Sequence, residues 1–332
     1  MATQSPPRTI LAVCTSPVIQ KTLVLNSFNE GEVVRCADQR TDPAGKGFNC
    51  GRILVQNGIS TVVLSTLGGS TAPILKSLVE RDEIPVEWVK TEGEVRYCYT
   101  LLDRSRNITT EVVEEARPVT AEEEERLRKS FEGLLLGIGP SGTMVIAGSK
   151  PRGLSDELYP WMVARGKEAG TRIVLDVRKA DLLASLPYRP DIIKPNFVEF
   201  GTTFFDDFTS TEGREEESDM GRVVDKMREL YEDNGVTSII SRGRRATLYI
   251  ERGEIKRVQP ERIEPVNTVG CGDAMTAGIA SIVAEEIRDE PGGAGGSAPF
   301  PEGLVTRAVA RGHEWARLNA LQLPPGSVRP GR

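Results

Sequence analysis

The feature that most narrows the folds open to this chain is a repeated alternation of short β-branched runs with helical stretches. Residues 9–13 read as a strand and 47–57 as a helix, with Phe48, Ile53, Leu54 and Val55 its apolar members. Strand 61–66 and helix 72–81 follow, then helix 122–136, strand 144–147, helix 155–169 and strand 172–176. A short strand at Ile192 and Ile193 ends at Pro195. Helix 219–232, strand 238–240 and a hairpin of 246–250 with 255–258 around Arg252-Gly253 come next, and helices 271–287 and 302–321 close the series. Such alternation argues for an α/β fold with a largely parallel sheet.

Two regions break the alternation. In 22–39, residues 22–24 and 33–35 are strand-like; in 86–114, residues 95–102 and 109–113 are strand-like with no helix between. Together they read as a small separate sheet, either a flap over a site or a decorated edge of the main sheet. The stretch 291–299 (PGGAGGSAP) reads as a surface loop, and the proline-rich tail after Leu323 is expected to fray.

Hydrophobic residues make up 39% of the 332 positions and charged residues 27%, ordinary for a soluble globular protein, with one large domain plus a small appendage expected. The net charge of −6 supplies no general attraction for nucleic acid. Five scattered cysteines (14, 36, 50, 98 and 271) form no C-x-x-C pair and His313 has no cysteine near it, which argues against zinc and fits a reducing compartment. The first eight residues carry no signal-peptide core, and no apolar run approaches the roughly 18 residues that span a bilayer. A cytoplasmic protein without membrane partners is expected.

Asn267-Thr268-Val269-Gly270-Cys271-Gly272-Asp273 opens a helix of small residues. Its glycines allow a tight turn with outward-facing amides, and a helix N-terminus favours an anion such as a transferring phosphoryl group. Asp273 is placed to take the proton of an attacking hydroxyl. The same string also reads as a glycine turn with a stabilising aspartate in the first helical turn. A second helix-opening string, Asp42-Pro43-Ala44-Gly45-Lys46-Gly47-Phe48-Asn49, is not a Walker A motif; Lys46 and Asn49 offer charge and hydrogen bonds, or a solvated loop lysine. In Lys194-Pro195-Asn196-Phe197-Val198-Glu199, the Asn196/Glu199 spacing suits a capping box and, as the alternative, a hydrated Mg²⁺. Gly137-x-Gly139-x-x-Gly142 follows a helix and precedes a strand, the reverse of a dinucleotide fingerprint. The acidic run 122–125 reads as a solvated helix start, and His313 as a packing or surface residue.

In this order the motifs resemble the PfkB family of carbohydrate kinases, also called the ribokinase family, and within it the 1-phosphofructokinase and tagatose-6-phosphate kinase branch. The likeness runs from about Ile10 to about Leu321. It includes Ala44–Asn49, Asn267–Asp273, the string Ala147-Gly148-Ser149-Lys150-Pro151-Arg152-Gly153, Lys194-Pro195-Asn196, and Ser241-Arg242-Gly243. The resemblance implies a ribokinase-like three-layer α/β/α domain over 8–323 with a mostly parallel central sheet. Segments of about 14–45 and 86–114 would form a small β-sheet lid, which in many members also makes a homodimer contact. It further implies an ATP- and Mg²⁺-dependent phosphotransferase acting on a hydroxyl of a sugar or sugar phosphate. Asp273 would be the base and the amides of Gly270, Cys271 and Gly272 the anion hole. Gln20, Gly45, Lys46, Asn49 and Arg96 would face the substrate. Asn196, Ser241, Gly243 and Thr268 would contact the nucleotide, with Glu199 and Asn196 near the metal.

Departures from the branch bear on the acceptor. Gln20 replaces an aspartate that grips sugar hydroxyls, and Cys98 and Thr100 replace an asparagine and a lysine beside the retained Arg96. Gln20 still donates and accepts hydrogen bonds but lacks charge. An unphosphorylated sugar or nucleoside as acceptor therefore stands as an alternative. So does a non-catalytic ligand-binding relative, against which the intact Asp273 and its glycines argue.

Overall fold

The computed structural model describes residues 9–140, 142–211, 214–289 and 299–329. The expected loop 291–299 lies, except for its last residue, outside the described residues. The strands are β1 (Ile10–Cys14), β2 (Val18–Leu25), β3 (Asp38–Ala44), β4 (Thr61–Gly68), β5 (Val86–Thr91), β6 (Arg96–Asp103), β7 (Ile108–Val113), β8 (Thr143–Ala147), β9 (Arg172–Asp176), β10 (Ile192–Ile193), β11 (Thr237–Arg242), β12 (Arg245–Glu251) and β13 (Glu254–Val258). The helices are α1 (Lys46–Gln56), α2 (Ala72–Arg81), α3 (Ala121–Ile138), α4 (Leu158–Glu168), α5 (Ala180–Ser185), α6 (Phe197–Phe204), α7 (Glu217–Asn234), α8 (Cys271–Asp289) and α9 (Leu304–Ala320).

Nine strands form one sheet in the order β13-β12-β11-β10-β9-β8-β1-β4-β5, parallel except for the antiparallel β12 and β13 at one edge. The central strands read as unbroken apolar runs because both faces are covered. In β1, Leu11 and Val13 join a core with Leu127 and Phe131 of α3 and Met162 of α4, while Ile10 packs with Ile53 of α1 and Ile279 of α8. Alternation along one strand thus divides the helices into two layers, giving the three-layer α/β/α architecture. The β12–β13 hairpin closes through Arg252 and Gly253, both at positive φ, as the right-handed twist of paired strands favours.

A second sheet, order β3-β2-β6-β7, is built from the two segments that interrupt the alternation. Two details differ from the sequence reading. Residues 86–91 are β5, at the edge of the large sheet rather than in the small one. Residues 33–35 form no strand; pairing with β2 falls instead on the polar stretch Asp38–Ala44. That strand lies at a sheet edge, where Pro43 costs no ladder bond between neighbours. The β-branched look of Val33 was misleading because its side chain is exposed.

Two further expectations are corrected. Glu123 and Glu124, within the acidic run at the start of α3, are buried. Glu123 completes a capping box with Thr120 and also accepts from the Glu92 amide at 2.7 Å, and Glu124 binds Arg128 and Ser155. Nor do the described residues of the tail fray: residues 324–328 are buried, with the Pro325 carbonyl accepting from Arg52 Nη1 at 2.7 Å. Its packing comes from long-range partners that local composition does not reveal.

Helix α1, which carries Lys46 and Asn49, lies hard against β1. A Cβ on Gly47 would sit 2.5 Å from the Val13 carbonyl oxygen, so only glycine permits this approach. Gly47→Ala is expected to destabilise the protein by about 1–3 kcal/mol, as overpacking does. Urea unfolding checks this through a lowered midpoint with an unchanged slope.

Candidate active site

The parallel strands β9, β10 and β11 end together, and the first turns of α1 and α8 point into the same region. In open parallel sheets ligands bind at such carboxyl ends. Helix α8 starts at Cys271, so Gly270 precedes it at φ +83° and Asp273 lies in its first turn. The Ala274 amide donates to the Gly270 carbonyl at 2.8 Å and the Cys271 amide to the Thr268 carbonyl at 3.3 Å, closing the turn. Gly272 and Thr268 are exposed. Of the three amides expected to cup an anion, that of Cys271 thus already has a long internal bond.

Asp273 is buried, and Asn49 Nδ2 donates to its Oδ2 at 2.7 Å. Burial raises its carboxyl to about 6, against the opposing pull of the Lys46 ammonium and the Asn49 bond. The Cys50 thiol donates to the Asp273 carbonyl at 3.2 Å, tying α1 to α8 one residue further along.

Beside it lies a cluster organised by Asp176, the last residue of β9. Its Oδ1 is 2.9 Å from Lys46 Nζ; its Oδ2 is 3.2 Å from Lys194 Nζ and accepts from Thr276 Oγ1 at 2.8 Å. Burial by itself would raise the Asp176 carboxyl, but Lys194 and Lys46 outweigh it and hold it at about 2. Burial likewise acts to discharge Lys46, yet Asp176, Glu199 and Asp273 keep its ammonium group above the ordinary range. Lys194 in turn lies 3.9 Å from where a Gly272 Cβ would be, so its charge adjoins the turn. Gly148, at φ +93°, leaves room beside the Lys46 stem.

Asn196 and Glu199 form the reciprocal capping box of α6. Asn196 Oδ1 accepts from the Glu199 amide at 2.7 Å, and Glu199 Oε2 from the Asn196 amide at 3.0 Å. Glu199 Oε1 remains directed at Lys46 (3.9 Å) and Arg178 (4.0 Å). A backbone bridge joins Asn196 to Ser241 at the end of β11, and Gly243 follows at φ +58° in the turn to β12. Of the residues expected around a nucleotide, Asn196, Ser241 and Gly243 therefore adjoin one another beyond β10 and at the end of β11, while Thr268 lies in the turn before α8.

The substrate-facing expectations divide. Lys46 and Asn49 belong to the cluster around Asp176 and Asp273. Gly45 precedes α1 at φ +110°, where a Cβ would lie 2.8 Å from Cys14 Sγ. Gln20 and Arg96 belong instead to the small sheet, two residues apart in the β2–β6 register and on one face. Gln20 Nε2 donates to Thr100 Oγ1, whose hydroxyl and the Cys98 thiol adjoin Glu111 Oε1 at 3.4 and 3.8 Å. Arg96 donates through Nη1 to the Glu114 carbonyl at 3.0 Å, while its buried Nε has no partner among the described residues.

Sequence reasoning gave no role to Asp176, Thr276 or the Lys194 side chain. The available signal was an acidic residue ending an apolar strand in Ile173-Val174-Leu175-Asp176, at the end of a parallel sheet where ligands bind.

The raised Asp273 carboxyl has a consequence for stability. Its folded value of about 6 exceeds the ordinary 3.8, so ionisation opposes folding as pH rises between them and the full cost persists above 6. Asp273→Asn should therefore stabilise the protein by about 2–3 kcal/mol at pH 8 and by progressively less toward pH 4. Thermal or urea unfolding at both pH values reads this out.

Residues 13–323 match the pfkB family carbohydrate kinase profile. Among solved structures, phosphofructokinase-2 from Escherichia coli in complex with substrates and products superposes at a TM-score of 0.77 with 20% identity, over 95% of this chain and 93% of that one. A possible 1-phosphofructokinase from Thermotoga maritima gives 0.77 at 18% identity, over 97% and 94%. Ribokinase from Thermotoga maritima gives 0.67 at 17%, over 98% and 96%. These likenesses establish a ribokinase-like fold, and the family match over nearly the whole length establishes more: this chain belongs to the pfkB family of carbohydrate kinases.

Proposed function

We propose that this carbohydrate kinase transfers the γ-phosphoryl group of ATP to a hydroxyl of a sugar or sugar phosphate, with Asp273 as the base. The single observation that carries the reading is the buried Asp273 carboxyl in the first turn of α8, held by Asn49 beside Lys46 and Asp176. As the acceptor oxygen bonds to phosphorus, its proton passes to Asp273, the bond to the β-phosphate oxygen breaks, and ADP leaves with the electron pair. The Gly270–Gly272 turn and the α8 N-terminus offer donors and partial positive charge to the migrating group. Lys46 and Lys194 add full charges at the same place. Asn196, Ser241, Gly243 and Thr268 line the nucleotide side in this reading.

Among the described residues no three acidic, histidine or cysteine side chains cluster as a cage for a metal. That fits Mg²⁺ in a phosphoryl-transfer site, which keeps several waters and takes phosphate oxygens with one or two carboxylates. Glu199, with Oε1 outside its capping bond, is the residue that would hold such an ion, which when bound neutralises phosphate charge. Asn196 serves it less directly, since its Oδ1 already accepts the Glu199 amide.

The small sheet acts as the lid in this reading, with Gln20 and Arg96 toward the acceptor. Arg96 favours a phosphorylated acceptor. The Glu111 carboxylate beside Thr100 and Cys98 favours the second reading, an unphosphorylated sugar or nucleoside, because it repels an anion placed there.

Asp273→Asn is expected to lower turnover by about 10²–10⁴-fold while ATP binding stays close to that of the parent protein. Wild-type kcat should decline as pH falls through about 6, where Asp273 takes up a proton. Equal turnover in the variant would remove Asp273 from the mechanism. ADP release measured against free and phosphorylated sugars separates the two acceptor classes, and preference for free sugars would select the second.

A further inference from the structure

The family match ends at residue 323, yet the chain continues in an ordered segment beneath the catalytic turn. Two asparagines bind this segment to the turn from opposite sides. Asn267 Nδ2 donates to the Leu323 carbonyl at 2.9 Å, and its Oδ1 accepts the Val269 amide at 3.0 Å. Asn319, fully buried in the last turn of α9, accepts the Ser327 amide at 3.1 Å through Oδ1 and donates to the Val269 carbonyl at 2.9 Å through Nδ2. The backbone approach is correspondingly close. A Cβ on Gly270 would lie 2.6 Å from the Gly326 nitrogen, and a Cβ on Gly326 2.6 Å from both Cβ and Oδ1 of Asn49. Gly326 also sits at φ +64°, which favours glycine.

Helix α1 grips the same segment. Arg52, buried, donates to the Pro325 carbonyl at 2.7 Å, to the Pro43 carbonyl at the end of β3, and to Asp82 at 2.7 Å. One guanidinium thus joins the base of the small sheet, the end of α2 and the tail, three residues along the helix from Asn49. Gln56 Oε1, a turn further on, accepts the Val328 amide at 3.0 Å. The Asn267, Asn319 and Gly326 contacts reach the turn before Asp273 or its partner Asn49, while Arg52 and Gln56 hold the same segment to α1.

We propose that residues 323–328, locked by Arg52, are a positioning element for phosphoryl transfer: they set the Gly270–Gly272 turn against Asn49 and so aim Asp273. The proposal rests on the assignment of Asp273 as base. None of these residues touches the reacting atoms; they act through Asn49 and the turn. A methyl group at position 326 pushes Asn49 away from Asp273 without touching the nucleotide-facing Ser241 and Gly243.

The test compares Gly326→Ala and Arg52→Lys with the parent enzyme, using the best acceptor found and measuring kcat, KM and the pH profile at temperatures where each variant is folded by circular dichroism. Gly326→Ala should lose about 10- to 100-fold in kcat, the scale of a small misplacement of reacting groups, with KM for ATP nearly unchanged. Its acidic limb should move to higher pH, because the Asn49 bond that favours the ionised Asp273 is weakened. Arg52→Lys keeps a cation beside Asp82 but cannot span two carbonyls, and should show the same split to a smaller degree. If Gly326→Ala does not fold, Arg52→Lys decides. Wild-type kcat and an unmoved acidic limb in the folded variants would overturn the positioning role, leaving a segment that only stabilises. Failure of the base assignment would look different: Asp273→Asn would then retain turnover.

Discussion

The arrangement depends first on a buried carboxylate at the end of β9. Asp176 takes two lysine ammonium groups and a threonine hydroxyl in an interior where any one of these charges alone would be strongly disfavoured. Lys46 comes from α1, Lys194 from the end of β10 and Thr276 from α8, so the ionic cluster joins three elements remote in sequence. Its net positive surplus lies beside the α8 N-terminus, where the helix dipole has the same sign. In the proposed function, a site of that character suits a phosphate and tolerates a neighbouring carboxylate. Asp273 is that neighbour, and the cluster limits how far burial raises it.

The nine-stranded sheet and its two helical layers fix the strand ends, while the four-stranded sheet meets the large domain through β3 against α1 and α2 and β2 against α2. Arg52 stands at the junction, bonded at once to the end of β3 and to the tail. The order Gly45, Lys46, Asn49, Arg52 along α1 puts the strand-to-helix turn, the cluster lysine, the Asp273 partner and the tail anchor on a single helix. That helix packs so closely on β1 that glycine is required at position 47.

Much of this was legible in residue patterns. The β-branched runs and helical stretches marked the elements of the large sheet because both faces of each central strand are covered. Asp273 stood out through the order of the motifs around it, since a glycine turn before a helix also suits an aspartate that only stabilises the helix start. Other features were hidden for physical reasons. The polar strand Asp38–Ala44 exists because β2 offers it a ladder, not because its side chains prefer extended backbone. Glu123 and Glu124 resemble solvent-facing residues until the amides of Glu92 and Ser155 are brought to them. Asn196 and Glu199 fit two descriptions, and the capping box takes both their amides, Asn196 Oδ1 and Glu199 Oε2 while leaving one carboxylate oxygen over.

The amino-acid order alone determined the α/β class and the identity of the turn that opens α8, since these follow from periodicity and from local backbone requirements of glycine, proline and helix starts; the order of its motifs carried the resemblance to the family. Tertiary structure decided what each charge meets. Only folding brings Asp176 to within 3 Å of Lys46, sets Asn49 against Asp273 across 224 positions, and turns a proline-rich end into a buried support. The physical reason is range: backbone preferences act between near neighbours, whereas desolvation and Coulomb interaction depend on whichever groups the packed core places together.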